Sequence, residues 1–289
     1  MPSPGYKIVR LANGVHSVHS LAHRETFHPV IGPVAEAEAL YVKQLRLGER
    51  LRQHSGEFVV WDVGLGAAAN AITVLRATRD VPCPIRMLSF DQTLEPLRFA
   101  LNHVESLGYF DGYESHLQKI LRKHSVNFRD ANRHVTWELH LGDFPTLLSG
   151  SLSRLPVRLF PAPHAILFDA FSPAKNPAMW TLPLFTGLFG LLDPQRLCTL
   201  PTYSRSTMLR VTLLLAGFYV GAGHATGEKE ETTIAANTLE WIDEPLDQKW
   251  LQRARRSTSA EPLREPVYRQ ARLSLETWET LLEHPQFRK

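Results

Sequence analysis

Four short apolar runs, FVVWDVG (58–64), IRMLSFD (85–91), VTWELHLGD (135–143) and AILFDAF (165–171), are separated by helix-forming segments at 69–79, 93–107 and 114–124. Runs with so little polar alternation suit strands covered on both faces, the condition of a parallel sheet whose crossovers are helices. The order βαβαβ predicts a doubly wound α/β domain, with its ligand crevice outside the carboxyl ends of the strands.

The flanking segments complete the pattern. A strand near 196–200 follows the segment 178–192, and a helix at 204–215 leads to AGFYV (216–220) and TTIAA (232–236). Two runs with no helix between them predict an antiparallel hairpin at the end of the sheet. Ahead of the domain, extended pieces at 8–11 and 15–21 surround Asn13-Gly14, a dipeptide that accepts the positive φ of a tight hairpin. AEAEALYVKQLRL (35–47) then predicts a helix with Leu40, Tyr41 and Leu45 on one stripe. The expected division is a small β appendage with a helix (1–55), the α/β domain (56–240) and a basic tail (241–289), in which 257–266 reads as a linker before an amphipathic helix near 274–283.

Composition excludes several classes. With 44% hydrophobic residues in 289, the chain can bury a sizeable core. Lys and Arg number 32 against 29 Asp and Glu, so a polycation that holds nucleic acid by bulk charge is out. Residues 249–289 carry nine Lys and Arg against five Glu, so the excess sits in the tail. Cys83 and Cys198 are too few for a disulfide framework or a structural zinc site and suit a reducing compartment, which makes the cytoplasm the expected location. No stretch is long and apolar enough for a membrane span or a signal peptide. His16, His19, His23 and His28 fall at mixed parity with no cysteine nearby, and no metal is expected there.

The segment WDVGLGAAANAITVL places Gly64 and Gly66 where a buried strand turns into a helix. Such a turn needs residues with little side chain, and the helix beyond it offers unpaired N–H groups to a nucleotide-like ligand. Asp91 ends the second run, where a carboxylate can take both hydroxyls of a ribose. That much fits NAD or S-adenosylmethionine equally. Gly142-Asp143 ends the third run, where methyltransferases commonly set an Asp against the adenine amino group and dehydrogenases usually do not. Each acid alone could be a helix cap.

After the fourth run comes Asp169-Ala170-Phe171-Ser172-Pro173-Ala174-Lys175-Asn176-Pro177-Ala178-Met179-Trp180. Its prolines forbid a regular helix and predict a rigid loop at the carboxyl edge of the sheet. The stretch closely resembles the DGFxPAKNPxMW signature of the methyltransferase half of MnmC, the bacterial enzyme that methylates 5-aminomethyl groups on wobble uridine of tRNA. The resemblance covers most of residues 26–236. It includes TFHPVIGPVAEAEALYV, WDVGLGAAAN, SFD, HLGDFPTL, the segment 205–218 ending LLLAGF, and GEKEETTIA (227–235).

The resemblance implies a Rossmann-like S-adenosylmethionine-dependent methyltransferase fold, free-standing and without an FAD domain or a metal. Asp62, Gly64, Gly66, Asn70, Asp91, Gly142, Asp143 and Asp169 are its implied cofactor residues. Asp169 is the implied catalytic group, orienting an amine and receiving its proton. Phe171, Pro173, Lys175, Asn176, Trp180 and Tyr203 are the implied contacts of the acceptor, a tRNA anticodon region. The chain departs from the family in three places. Its glycine loop lacks a third glycine, it has Met208-Leu209-Arg210 where the family has paired arginines, and it has Glu228-Lys229-Glu230 where the family has Arg-Lys-Arg. The last two exchanges remove charge that would meet phosphate. Transfer to a small amine, aminopropyl transfer, an NAD-dependent oxidoreductase and a noncatalytic binding module remain the competing expectations.

Overall fold

The computed structural model describes residues 5–154, 159–227 and 230–288, so Glu228 and Lys229 lie outside the described residues. The chain forms two compact units.

The first unit comprises Met1–Asp143, Ala165–Asp169 and Ala225–Glu230. Its small amino-terminal sheet is antiparallel, with β1 (Tyr6–Arg10) paired to β2 (His16–Ser20) and β2 to β3 (Glu25–Thr26). The main strands of this unit are β4 (Phe58–Val63), β5 (Ile85–Asp91), β6 (Ser125–Asp130), β7 (Arg133–Leu141) and β8 (Ala165–Phe168), in the order β8-β4-β5-β7-β6. Neighbours are parallel except for β6, which pairs antiparallel with β7. Every residue of β4 is buried, as its unbroken apolar run requires. Strand β6 has no such run. In SVNFRD only Val126 and Asp130 are buried, so no apolar run marks this outer strand in the sequence.

Two expected helices are interrupted. The segment 35–47 forms the helix Pro33–Ala37 and then a π-helical turn, Glu38–Lys43; Arg46 at φ +47° precedes a further helix, Leu47–Gln53. The predicted stripe holds nonetheless, because Leu40, Tyr41 and Leu45 are all buried. The segment 93–107 splits into Glu95–Leu101 and Val104–Leu107, where the His103 ring lies 2.7 Å from the Phe99 carbonyl oxygen. The other two crossover helices form as Ala69–Ala77 and Glu114–Lys123. The fourth run is strand only to Phe168, so Asp169 lies just beyond it.

The second unit comprises Phe144–His164, Ala170–His224 and Glu231–Lys289. Its strands β9 (Thr199–Thr202), β10 (Tyr219–Gly223) and β11 (Thr232–Ala236) pair antiparallel as β9-β11-β10, which contains the expected hairpin. The helices Phe144–Leu152, Leu182–Gly190 and Thr207–Leu215 belong to this unit, with Gln248–Arg256 and Leu275–Leu282 in the tail.

The tail is tied to the hairpin. The Gln286 side chain accepts from the Val220 N–H at 2.8 Å and donates to the Val220 and Leu246 carbonyls at 2.7 and 2.9 Å. The expected linker is also packed, with Ala260 and Leu263 buried and Leu182 N–H donating to the Leu263 carbonyl at 2.7 Å. Among the described residues no helix is long and apolar enough to cross a membrane.

Candidate functional site

Because β8, β4, β5 and β7 are parallel neighbours, their carboxyl ends share one edge, and backbone hydrogen bonds join the residues that leave it. Asp169 N–H donates to the Val63 carbonyl at 3.0 Å, Gly64 N–H to Phe90 at 3.0 Å and Gly142 N–H to Asp91 at 2.9 Å. The first unit thus gathers Asp62, Gly64, Gly66, Asn70, Asp91, Gly142, Asp143 and Asp169, the implied cofactor residues.

The turn after β4 depends on its glycines. Gly64 and Gly66 have φ of +95° and +52°, and a Cβ at Gly66 would stand 3.2 Å from the Phe27 ring. Gly66 N–H donates to Asp91 Oδ2 at 2.8 Å, and Asp91 Oδ1 accepts from Thr93 N–H at 3.1 Å. Burial nonetheless raises the Asp91 carboxyl above the ordinary aspartate range, against the opposing pull of these N–H groups. Each carboxylate oxygen keeps a lone pair beyond the one its backbone donor uses. At the neighbouring strand end, Gln92 Nε2 donates to Asp143 Oδ1 at 2.9 Å.

Asp62 is fixed by a buried relay across three adjacent strands. Trp137 Nε1 donates to Ser89 Oγ at 2.9 Å, and Ser89 Oγ donates to Asp62 Oδ2 at 2.7 Å. Asp62 Oδ1 is buried without a hydrogen-bond partner, as is Asn70 Oδ1. Burial pushes the Asp62 carboxyl up to about 7; the Ser89 bond opposes this, and the charges of Asp169 and Asp91 add to it. Two buried acceptors without a donor, one on either side of the glycine turn, fit a ligand that brings N–H or O–H groups.

Asn70, at the start of the helix Ala69–Ala77, donates through Nδ2 to Asp169 Oδ2 at 2.7 Å. His28 and Glu36 join this carboxylate: His28 Nδ1 lies 3.1 Å from Glu36 Oε1, and His28 Nε2 lies 3.5 Å from Asp169 Oδ2. Sequence reasoning missed His28, Glu36, Ser89 and Phe27 as site residues. In the sequence His28 is one of four scattered histidines and lies with Phe27 and Glu36 in the resembling segment TFHPVIGPVAEAEALYV, which by itself assigns none of them a role. In the structure His16 meets the Ser106 carbonyl, His19 the Thr26 hydroxyl and His23 the Ser20 hydroxyl. Tyr6 of β1 meets the Phe27 ring edge-on, and burial, then the charges of Asp91 and Glu95, push its hydroxyl above the ordinary tyrosine value.

The implied acceptor residues Phe171, Pro173, Lys175, Asn176, Trp180 and Tyr203 fall in the second unit. Lys175 is exposed, while Phe171, Pro173, Asn176 and Tyr203 are half-buried. Trp180, an implied contact of the acceptor, offers it no exposed face. It is fully buried, its Nε1 donates to the Phe171 carbonyl at 2.7 Å, and it meets the Tyr203 ring edge-on. In this geometry it braces the loop. Tyr203 OH donates to the Ala170 carbonyl at 3.0 Å, tying down the residue that follows Asp169.

Residues 111–238 match the model of a family described as S-adenosyl-L-methionine-dependent methyltransferase. The tRNA 5-methylaminomethyl-2-thiouridine biosynthesis bifunctional protein MnmC of Aeromonas hydrophila is 29% identical over 210 residues, covering 68% of this chain and 30% of that protein. Its namesake in Ralstonia nicotianae is 29% identical over 235 residues, covering 77% and 33%. The chain therefore spans about a third of the length of these relatives. The crystal structure of MnmC2 from Aquifex aeolicus superposes with a TM-score of 0.71 at 22% identity, covering 97% of this chain and 84% of that one. At that identity the likeness speaks for the fold. The match over residues 111–238, the likeness to MnmC and the fold together support an S-adenosylmethionine-dependent methyltransferase related to the methyltransferase region of MnmC.

Proposed function

We propose that the chain transfers a methyl group from S-adenosylmethionine to a primary amine, the 5-aminomethyl group of wobble uridine in tRNA. The observation that carries this reading is the bond from Asn70 to Asp169, which sets a carboxylate beside the glycine turn in the same unit. When bound, S-adenosylmethionine supplies an electrophilic methyl group on a sulfonium. Asp91 is proposed to hold the ribose hydroxyls and Asp143 the adenine amino group. Asp62 Oδ1 and Asn70 Oδ1, the buried acceptors, would take N–H groups of the methionine moiety.

An amine attacks only through a free lone pair, so the protein must present it neutral and in line. Asp169 is proposed to accept one amine hydrogen as a hydrogen bond, which aims the lone pair, and then to take the proton released by alkylation. Phe171, Pro173, Lys175, Asn176 and Tyr203 are the proposed contacts of the acceptor, with no metal or FAD assigned a part. The proposed place of action is the cytoplasm.

A second acceptor, a small amine, is favoured by one observation. Arg210, which stands where the family has paired arginines, is buried and committed to the Thr232 carbonyl, the Thr233 hydroxyl and Glu231 at 2.7, 3.0 and 3.1 Å. It is spent within its own unit, so a phosphate would find it already paired.

The test is incubation with methyl-labelled S-adenosylmethionine and tRNA from a strain lacking the modification, followed by digestion and identification of the nucleoside. Label in the 5-methylaminomethyl nucleoside supports the tRNA reading. Label in small amines with none in RNA rejects it.

A further inference from the structure

His28 joins two carboxylates that are far apart in the sequence, Glu36 at Nδ1 and Asp169 at Nε2. The three side chains are withdrawn from solvent, at 8%, 5% and 15% exposure for His28, Glu36 and Asp169. The backbone at His28 has φ +50°, a left-handed conformation uncommon outside glycine, and Pro29 follows it. Residues held in this way concentrate where function depends on their placement. Glu36 lies just ahead of the π-helical turn Glu38–Lys43, an irregularity of the same kind.

A carboxylate at Nδ1 keeps a hydrogen on that nitrogen, so in the neutral ring Nε2 carries no hydrogen and acts as an acceptor. Asp169 Oδ2 is an acceptor too, and it already takes a hydrogen bond from Asn70. Two acceptors that face each other repel unless a proton lies between them. The Asp169–His28 pair is therefore suited to hold one proton.

We propose that His28 is a positioning residue for the methyl transfer: it fixes the Asp169 carboxylate and takes over the proton that Asp169 removes from the acceptor amine, while Glu36 steadies the ring. This rests on the role given to Asp169 above. The amine nitrogen forms its C–N bond as the sulfonium C–S bond breaks, and the electron pair stays on sulfur. The resulting secondary ammonium gives one proton to Asp169, which passes it to His28 Nε2, and the imidazolium releases it to water. The 3.5 Å separation is long for direct transfer, as such contacts commonly are before a substrate draws them together. Ligand atoms of the three side chains also lie within 4.8 Å of one another, so a cation is the competing occupant.

The experiment uses His28→Asn, which tolerates the left-handed backbone and has no ring to take the proton, and Glu36→Gln, which keeps the side-chain shape. Each is expected to lower kcat on the order of 10- to 100-fold, short of the roughly 10²–10⁴ typical for loss of a general acid or base. The KM of the acceptor and the Kd of S-adenosylmethionine should move by less than about twofold, and His28→Asn should add little to Asp169→Asn, because residues acting as a unit are not additive. Wild-type kcat in folded His28→Asn, or a loss of cofactor affinity as large as the loss of kcat, overturns the proposal. If that wild-type kcat comes with an inactive Asp169→Asn, the role of Asp169 stands and only the part given to His28 fails. Wild-type turnover in Asp169→Asn overturns both.

Nitrogen-15 NMR of the cofactor-free protein gives a readout independent of turnover. The His28 Nδ1 resonance should shift in Glu36→Gln and the Nε2 resonance in Asp169→Asn. A ring that responds instead to added zinc and to its removal by EDTA overturns the proposal.

Discussion

Asp169 carries the chemistry in this account, and its side chain is set by Asn70 and His28, residues about a hundred positions or more away in sequence. Asp169→Ala is expected to lower kcat by roughly 10²–10⁴, with S-adenosylmethionine affinity little changed, because the lost group handles the acceptor's proton. Steady-state kinetics beside a binding titration check this. Asp62 gives a prediction about stability. Its carboxyl titrates near 7 in the fold against an ordinary value of 3.8, so ionising it inside costs on the order of 4 kcal/mol. The stability from this group is greatest below about pH 4, is lost as pH rises to about 7, and is level above that. Asp62→Asn should remove that decline, seen as a smaller difference between urea midpoints at pH 4 and pH 8. An unchanged difference would contradict it. Asp91, Gly142 and Asp143 were legible in the sequence because a strand end is a local feature. His28 and Glu36 were not, because nothing local to either residue predicts the approach of Asp169.

The strands that build the site could be read because burial on both faces leaves an uninterrupted apolar run, as in AILF of β8. Strand β6, with two buried residues in six, leaves no such mark. The π-helical turn was also invisible, since Leu40, Tyr41 and Leu45 fit an ordinary helical stripe equally well. The tail is held to β10 by backbone bonds, Leu246 N–H to the Val220 carbonyl at 3.0 Å and Ala222 N–H to the Glu244 carbonyl at 2.9 Å, and by one side chain, Gln286. Val220 is fully buried, and Gln286 accepts from its N–H and adds a donor to its carbonyl, which also takes the Leu246 N–H. Gln286→Ala should destabilise the protein by about 1–3 kcal/mol, the cost of leaving the buried Val220 N–H unmet, and urea unfolding checks it. A midpoint equal to wild type would mean that water serves the strand as well.

For the chain as a whole, fold class was legible because it follows from the order of the elements, whereas the glycine turn and Asp91 suited NAD as well as S-adenosylmethionine, and the resemblance, with Gly142-Asp143 beside it, is what pointed to the latter. The proposed acceptor rests on resemblance alone, since charge sums to just +3 and Arg210 is spent inside the second unit. Cofactor binding at the gathered strand ends is the claim on which the rest stands. Isothermal calorimetry tests it: the wild-type protein should bind one S-adenosylmethionine and no NAD, and Asp91→Ala should weaken that binding about tenfold or more through loss of the charged acceptor for the ribose. Absence of binding, preference for NAD, or full affinity in Asp91→Ala would contradict it.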